Sequence, residues 1–456
     1  MLAIGQELVH IDTMNSIQTI QDVLLEAQRQ KRFTGVPRRL GYRLVPGKAF
    51  VCIGARRSGK STLLNQMIAG LLARGVAAED ILYVNLFDDR LEEVRQGNLN
   101  LLTEAYFGLY PERKGREGLH CFLDEIQMAR GWESFADRLM RAENMSVYLT
   151  GSSAGMLARE VGAAMRGRSL AWELFPFSFA EYLDAKGVAA DLRGQQARLR
   201  VRKAFDGYWR SGGFPEVMDD DTPLRVMIHQ DYFKTMVFRD VVDRHDALHP
   251  RAVRDMAYRL LNSAASLYTI NSLTGFLKSL DHRVSKAFVG DVLNWLEDAY
   301  ALFTLRLFDA SLSRQHANAK KIYAVDHALV RSTSTGILVN DGHLLENIVF
   351  VDGRRRGREL YYYRTRSGRE VDFVWRDGEG RLTLAQVAFQ APEGSDTLAR
   401  ELAALREALR ERPDSRALLV TMDDGPHRLD TPEGTVEIVP VWQYLLEGEK
   451  GGRVSA

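Results

Sequence analysis

Cysteine is almost missing from this chain: its 456 residues include two, Cys52 and Cys121, each inside an apolar, strand-like run. Both read as buried, reduced core residues of a cytosolic (cytoplasmic) protein. An excess of charge is also missing. A net charge of +1 makes no global case for nucleic acid or a membrane surface, so any basic surface must be local. No apolar run approaches the roughly 18 residues that a spanning helix needs, so no membrane contact is expected. The N-terminal stretch MLAIGQELVHIDTM lacks a basic region followed by a small-residue cleavage site, and export is not expected. Internal repeats and low-complexity tracts are absent. What is present, 45% hydrophobic and 27% charged residues, suits a globular chain with real cores, and its length calls for two to four domains.

The most informative stretch is GARRSGKST, Gly54 to Thr62, set between the apolar run Ala49–Ile53 and the amphipathic Leu63–Ile68. Strand, glycine-bearing loop and helix follow in the order that a phosphate-binding loop requires. Gly54 and Gly59 permit backbone angles closed to other residues. The N–H groups from Gly54 through Ala55, Arg56, Arg57, Ser58 and Gly59 to Thr62 can then converge on phosphate oxygens. Lys60 can reach the β- and γ-phosphates, Ser61 can ligate Mg²⁺, and the helix N-terminus favours an anion. The competing reading is an ordinary glycine-rich turn.

Downstream, Leu119–Leu123 is an apolar run that ends in Asp124 and Glu125. Alone this is a weak signal; behind a good phosphate loop it is a strong one. Asp124 would hold Mg²⁺, directly or through water, and Glu125 would orient and deprotonate the attacking water. Such carboxylates belong at the C-terminal end of a strand beside the loop. A further strand, Ser146–Thr150, ends in Gly-Ser-Ser. Ser152 or Ser153 is placed to sense a γ-phosphate, or equally to cap a helix over 154–160.

Taken together, ARRSGKSTLL, FLDEIQ (122–127), LTGSSAGML (149–157), RGRSLAWELFPFSFAEYL (166–183), GGFPEV (212–217) and FRDVVDRH (238–245) resemble prokaryotic AAA-type ATPases with a C-terminal domain of uncharacterised function. The resemblance covers about residues 18 to 445. Its combination of motifs is more specific than any single one. It implies kinship with archaeal-type ATPases, in which the ATPase core is followed by a winged helix and a restriction-endonuclease-like domain. An ATPase role in DNA transactions or defence is implied with it.

A γ-phosphate undergoing cleavage calls for a cation, often from a neighbouring subunit. Arg166, Arg168, Arg239 and Arg244 are the candidates by motif position; each could instead form a surface or interdomain ion pair. Gln127 could contact nucleotide or a neighbouring subunit, or hydrogen-bond within the core. Residues 185–249 read as amphipathic helices broken at Ser211–Pro215, a turn with structural glycines and a buried Phe214. Residues 270–325 read as a winged helix. Asn271-Ser272 and Ser285 would cap its helices, Lys286 and Asn294 would face outward, and a polar wing tip would hold Arg314, His316, Lys320 and Lys321. Such tip residues reach phosphates in DNA-binding versions; the other reading is a protein–protein spacer.

The last region reads helix, hairpin, helix, strand, the order of restriction-endonuclease-like folds. Active members place a Glu, an Asp and an acid-x-Lys around a metal. Here Glu346 and Asp372 match, but Gln386 stands at the acid position and Ala388 at the lysine position. A neutral amide is a poor ligand for a hard cation, so nuclease activity is predicted absent. Glu346 and Asp372 would persist as hydrogen-bonding or ion-pairing residues. The basic run Arg354-Arg-Arg356-Gly-Arg358, with Tyr361–Tyr363, Arg364 and Arg366, suits either a nucleic-acid backbone or a solvated face.

The sequence therefore predicts an α/β protein with five parts. They are a helical lead-in (1–45), an AAA-type P-loop parallel-sheet core (46–185), a helical connector (186–262), a winged helix (263–334) and an inactive nuclease-like domain (335–456). The expected activity is Mg²⁺-dependent hydrolysis of ATP by a homo-oligomer, coupled to DNA or another nucleic acid. The alternative is a nucleotide-controlled switch or scaffold that binds a protein.

Overall fold

The computed structural model describes residues 2–152, 165, 167–334, 340–422 and 427–447. It divides into two compact units. The first runs through Ala55 and over Gly59–Leu174; the second takes Arg56–Ser58 and continues from Phe175.

In the first unit a helix, Leu2–Arg29, precedes five strands: β1 (Ala49–Ile53), β2 (Ile81–Asn85), β3 (His120–Asp124), β4 (Ser146–Gly151) and β5 (Ser169–Glu173). Their order is β2-β3-β4-β1-β5, and every pairing is parallel. A parallel sheet has both faces covered, which is why β1 reads AFVCI with every residue buried. The helix Lys60–Ala73 covers one face through Leu63, Leu64, Met67, Ile68 and Leu71, a spacing of three and four that makes one apolar stripe. Leu64 and Ile68 are fully buried, each stabilising the unit by about 1.5–3 kcal/mol. This sheet is typical of P-loop nucleoside triphosphatases. Cys52 and Cys121 are buried and free, as expected, and burial pushes the Cys52 thiol up to about 12.

The second unit opens with helices Phe179–Ala185, Gln195–Ser211, Thr222–Thr235 and Pro250–Leu261; a π-helical turn, Met236–Asp243, extends the third. At the break in this helical stretch, Phe214 is fully buried, as the sequence suggests. Gly213 donates its N–H to Asp326, and a Cβ there would lie 2.3 Å from the Phe177 carbonyl oxygen. Next come β6 (Leu267–Tyr268), helices Ile270–Ser279 and Lys286–Asp298, β7 (Leu302–Leu305), a short helix Leu312–Ala317 and β8 (Lys320–Ala324). The three strands form an antiparallel sheet ordered β6-β8-β7. Lys286 and Asn294 are exposed, and Ser285 caps its helix through Phe288 N–H, as read from the sequence. The cap of the preceding helix is Thr269 and not Asn271-Ser272: Thr269 is extended and accepts from Ser272 N–H, while the Ser272 hydroxyl returns a bond to Thr269.

The chain ends with helix Asp341–Arg355, β9 (Tyr361–Arg364), β10 (Glu370–Arg376), β11 (Leu382–Ala388), helix Asp396–Glu411, β12 (Arg416–Thr421), β13 (His427–Thr431), β14 (Gly434–Pro440) and helix Val441–Glu447. The six strands lie in the order β13-β14-β12-β11-β10-β9. β12 is parallel to both neighbours, β11 and β14, and the other pairings are antiparallel. The register of β10 against β9 shifts between Val371 and Val374, at Asp372 and Phe373.

Candidate functional site

The loop after β1 is shaped by sterics at its first glycine. Gly54 has φ +157°, and a Cβ there would sit 2.1 Å from the Leu174 carbonyl oxygen, so no other residue fits. Gly59, at φ +96°, turns the chain into the helix that begins at Lys60. The Lys60 amino group is nearly buried and donates to the carbonyls of Gly54 (3.1 Å) and Ala55 (3.0 Å). One of its three donors remains for a ligand.

At the end of β3, Asp124 is fully buried. Thr150 Oγ1 donates to Asp124 Oδ1, the Tyr83 hydroxyl lies 3.3 Å from Oδ2, and the Ser61 hydroxyl is also hydrogen-bonded to this carboxylate. Burial raises the Asp124 carboxyl above its usual range, against the pull of Thr150, Ser61 and Lys60, and the charge of Glu125 adds to the rise. A desolvated carboxylate beside a hydroxyl is a hard-oxygen donor set that suits Mg²⁺. Glu125 has left-handed backbone angles (φ 56°, ψ 48°), and its N–H donates to Thr150 Oγ1 at 3.0 Å. Gln127 Nε2 reaches Glu125 Oε2 at 2.5 Å and Ser152 Oγ at 3.3 Å, while its Oε1 is buried with no partner among the described residues. Thus Lys60, Ser61, Asp124, Glu125 and Ser152, five residues singled out in the sequence, come together around one strand edge. Ser153 and Arg166 lie outside the described residues.

Thr150 is the residue that sequence reasoning missed. One step beyond the register pair Leu123–Leu149, it stands beside Asp124 and orders both carboxylate residues at once. Only the strand order, with β3 next to β4, could have revealed it.

Arg56 and Arg57, which belong to the second unit, have their partners within it. Arg56 makes a two-pronged ion pair with Asp240 (2.7 and 2.8 Å), whose carboxylate is fully buried in the π-helical turn. Arg57 lies 3.4 Å from Glu216. The Arg56 side chain is therefore taken, and its backbone N–H is what it can offer a phosphate. Of the candidate cations for a cleaving phosphate, Arg168 pairs with Asp137 at 2.7 Å and Arg244 lies 3.6 Å from Asp240. Arg239 is largely exposed, 3.7 Å from Asp243.

Two expectations for the second unit are corrected. Lys321 does not sit on a wing tip: its side chain is 3% exposed, and its ammonium binds Glu346 (2.8 Å), Glu370 (2.7 Å) and Asp372 (2.8 Å). Strand alternation turns it inward where its neighbour Lys320 is half-buried. Burial pulls Lys321 down, but Asp372, Glu346 and Glu370 outweigh this and hold it well above the usual lysine value. Burial, then the charge of Asp372, push Glu346 up to about 8. The basic row 354–358 is not an open cationic face either. Arg354 lies over Phe303 (4.2 Å), and Arg355 donates to the Pro176 carbonyl. Arg356 pairs with Asp352 and donates to the carbonyls of Tyr444 and Leu445, and Arg358 lies over the Trp375 ring (4.6 Å). As the sequence suggests, Glu346 and Asp372 serve as ion-pair residues. Gln386 accepts from Asp372 N–H and donates to Glu401 Oε2 at 2.6 Å.

Among the described residues, no helix is long and apolar enough to cross a membrane. Residues 46–183 match an AAA domain, a span that includes the whole loop, Asp124, Glu125 and Ser152. Residues 202–337 and 341–444 match two domains of unknown function (DUF8612 and DUF4143). An uncharacterized protein of Methanocaldococcus jannaschii is 29% identical over 437 residues, covering 93% of this chain and 95% of its own. An uncharacterized protein of Haemophilus influenzae is 28% identical over 399 residues, with 87% and 94% covered. Among solved structures, the Walker-type ATPase of Pyrococcus abyssi aligns with a TM-score of 0.36 at 14% identity, covering 62% of this chain and 90% of its own. The Orc1 protein of Aeropyrum pernix, solved in complex with DNA, aligns at 0.31 and 15% identity, with 71% and 92% covered.

Proposed function

We propose that this chain is an Mg²⁺-dependent ATPase with Gly54–Thr62, Asp124 and Glu125 as its hydrolytic site. The observation that carries the reading is the pairing of Ser61 with Asp124 while Thr150 pins Glu125 beside them. Ser61 and Asp124 would hold Mg²⁺, and a bound Mg²⁺ would offset phosphate charge. Lys60 turns from its loop carbonyls to the β- and γ-phosphates, and the backbone N–H groups of Gly54 to Thr62 cradle the rest. Glu125 orients a water and takes its proton as the water oxygen bonds to the γ-phosphorus; the bond to the β-phosphate oxygen breaks and ADP leaves. Ser152, tied to Glu125 through Gln127, positions the sensing edge. An arginine from a second copy would complete the charge, with Arg239 the most exposed described candidate.

The test is a pair of variants. Lys60→Ala loses nucleotide binding and hydrolysis, whereas Glu125→Gln keeps binding and loses turnover. Equal phosphate release by wild type and Glu125→Gln would sink the assignment.

We read 263–334 as a winged helix and 335–456 as a restriction-endonuclease-like domain without nuclease activity. The partner expected is DNA or another nucleic acid, with a nucleotide-controlled scaffold that binds a protein as the second reading. The internal contacts of Arg354–Arg358 and Lys321 take those cations away from any nucleic-acid surface. DNA affinity measured against salt separates the two: phosphate contacts give a steep negative slope of log affinity on log salt.

A further inference from the structure

The stretch between helix Leu2–Arg29 and β1 contains no helix or strand, yet part of it is tied down within the first unit. Two neighbouring side chains of helix Lys60–Ala73, which follows the phosphate loop, hold residues 32–38. Gln66 Nε2 donates to the carbonyls of Thr34 (2.5 Å) and Val36 (2.7 Å), and its Oε1 accepts from Arg38 N–H (3.2 Å). Asn65 donates to the Phe33 carbonyl (3.3 Å) and accepts from the Arg32 guanidinium (3.1 Å). This strap comes down on the last residue of the loop: a Cβ at Gly35 would lie 3.4 Å from Thr62 Cγ2. It also carries Arg38 to the loop, with Nη1 3.3 Å from where a Cβ on Gly59 would stand. We propose that Arg38 is a further nucleotide-binding residue whose guanidinium pairs with the α-phosphate of ATP or ADP, held in place by Gln66 as a positioning residue. The proposal rests on the nucleotide-site reading given above.

Three observations carry this. The first is electrostatic. Gly59 caps the positive end of a 14-residue helix and adjoins Lys60, so a cation held there is opposed by both the helix dipole and the ammonium. An anion between them turns that opposition into attraction. The second is where the charge is felt. Among the charges acting on the buried Cys52 thiol, Arg38 comes after Lys60 and ahead of Asp124 and Glu125, which sets its guanidinium among the charged groups of the site. The third is preorganisation. Both donors and the acceptor of the Gln66 amide fix three backbone groups within five residues, and Pro37 adds a fixed φ just before Arg38. A side chain delivered by so constrained a segment loses little freedom when it binds. The choice of phosphate follows from the neighbours. Lys60 is assigned to the β- and γ-phosphates and Ser61 to Mg²⁺, which leaves the α-phosphate for the Thr62 end of the loop, where the strap comes down. The planar fork of a guanidinium matches two phosphate oxygens at once.

The test uses the full chain with Mg²⁺, phosphate release for ATP, calorimetric titration for ADP and a thermal melt without nucleotide. A contact to the α-phosphate is common to both nucleotides. Arg38→Ala should therefore raise KM for ATP and Kd for ADP by the same factor, about 10–100-fold, with kcat at saturation moving by less than that factor. Its Tm without nucleotide should stay level or rise, since a cation has left the positive end of a helix, while the rise in Tm on adding ADP should shrink. Gln66→Leu should weaken ADP binding in the same direction, and Arg38→Ala/Gln66→Leu should weaken it no further than Arg38→Ala alone; additive losses would remove Gln66 as the positioning residue. Three results overturn the role of Arg38: ADP bound by Arg38→Ala as by wild type, ATP weakened at least tenfold more than ADP, or a lowered or lost melting transition without nucleotide. Lys60→Ala separates the two kinds of failure. If Lys60→Ala binds ADP as wild type does, the nucleotide site itself is misplaced; if it loses ADP while Arg38→Ala keeps it, only the role of Arg38 falls.

Discussion

Replacing Thr150 by valine removes one hydroxyl at nearly constant shape and asks how much of the site hangs on it. That hydroxyl donates to Asp124 and accepts from Glu125 N–H. A hydrogen bond to a charged group contributes about 1.5–3 kcal/mol and a neutral one about 0.5–1.5, so the folded unit should lose roughly 2–4.5 kcal/mol. At about 2–4 °C per kcal/mol for a domain of this size, Tm should fall by about 4–18 °C. If about 2 kcal/mol of that placement is also needed in the transition state, kcat falls ~30-fold. Nucleotide affinity should hold, because Lys60 and Gly54 do not depend on Thr150. Phosphate release at saturating ATP, binding of a fluorescent nucleotide and a thermal melt read the three quantities separately, with Thr150→Ser restoring the hydroxyl. A normal kcat alongside a lowered Tm would refute the reasoning, since Thr150 would then be a packing residue only.

Arg56→Ala should destabilise the chain by about 3–5 kcal/mol in urea unfolding, because it leaves the fully buried Asp240 carboxylate with the looser Arg244 at 3.6 Å. Arg239→Ala, at a largely exposed side chain, should change stability by less than about 0.5 kcal/mol. Acid should weaken the second unit through His229, which is fully buried, bonded to Ser332, and held down to about 4 by burial. Because the fold keeps His229 neutral while the unfolded chain protonates near 6.5, this stability is whole above that pH. It is lost as pH falls toward 4, by about 2 kcal/mol at pH 5. His229→Gln should flatten the urea midpoint between pH 7 and 5, and an unchanged slope would remove His229 as the cause.

The proposed nucleotide site is largely legible in the sequence because its chemistry is local. Gly54, Gly59, Lys60 and Ser61 follow one another in the chain, and Asp124-Glu125 ends an apolar strand whose period and length announce it. What escaped is what depends on strand order and long-range contact. Thr150 meets Asp124 because β3 lies beside β4; Asp240 meets Arg56 across 184 positions. Lys321 reads as a wing-tip cation until β8 is seen to face Glu346 and Asp372. The arginine row 354–358 departs from both of its sequence readings for a related reason. A run of like charge in sequence says nothing of the carbonyls and rings that meet it after folding, and those come from residues as far apart as Pro176 and Leu445. Thr269 took the cap from Asn271-Ser272 because a cap is defined by backbone angle, which a polar pair one step inside the helix does not reveal.

That same arginine row limits which sequences can replace it. Arg354 and Arg358 sit over the rings of Phe303 and Trp375, and Arg356 forks between Asp352 and two carbonyls, so the shape of the group matters as much as its charge. Lysine would preserve every formal charge and forfeit the shape and the fork. Arginine and lysine should therefore trade places on the open surface of this protein but not at these positions, and an isoelectric point would register none of the damage.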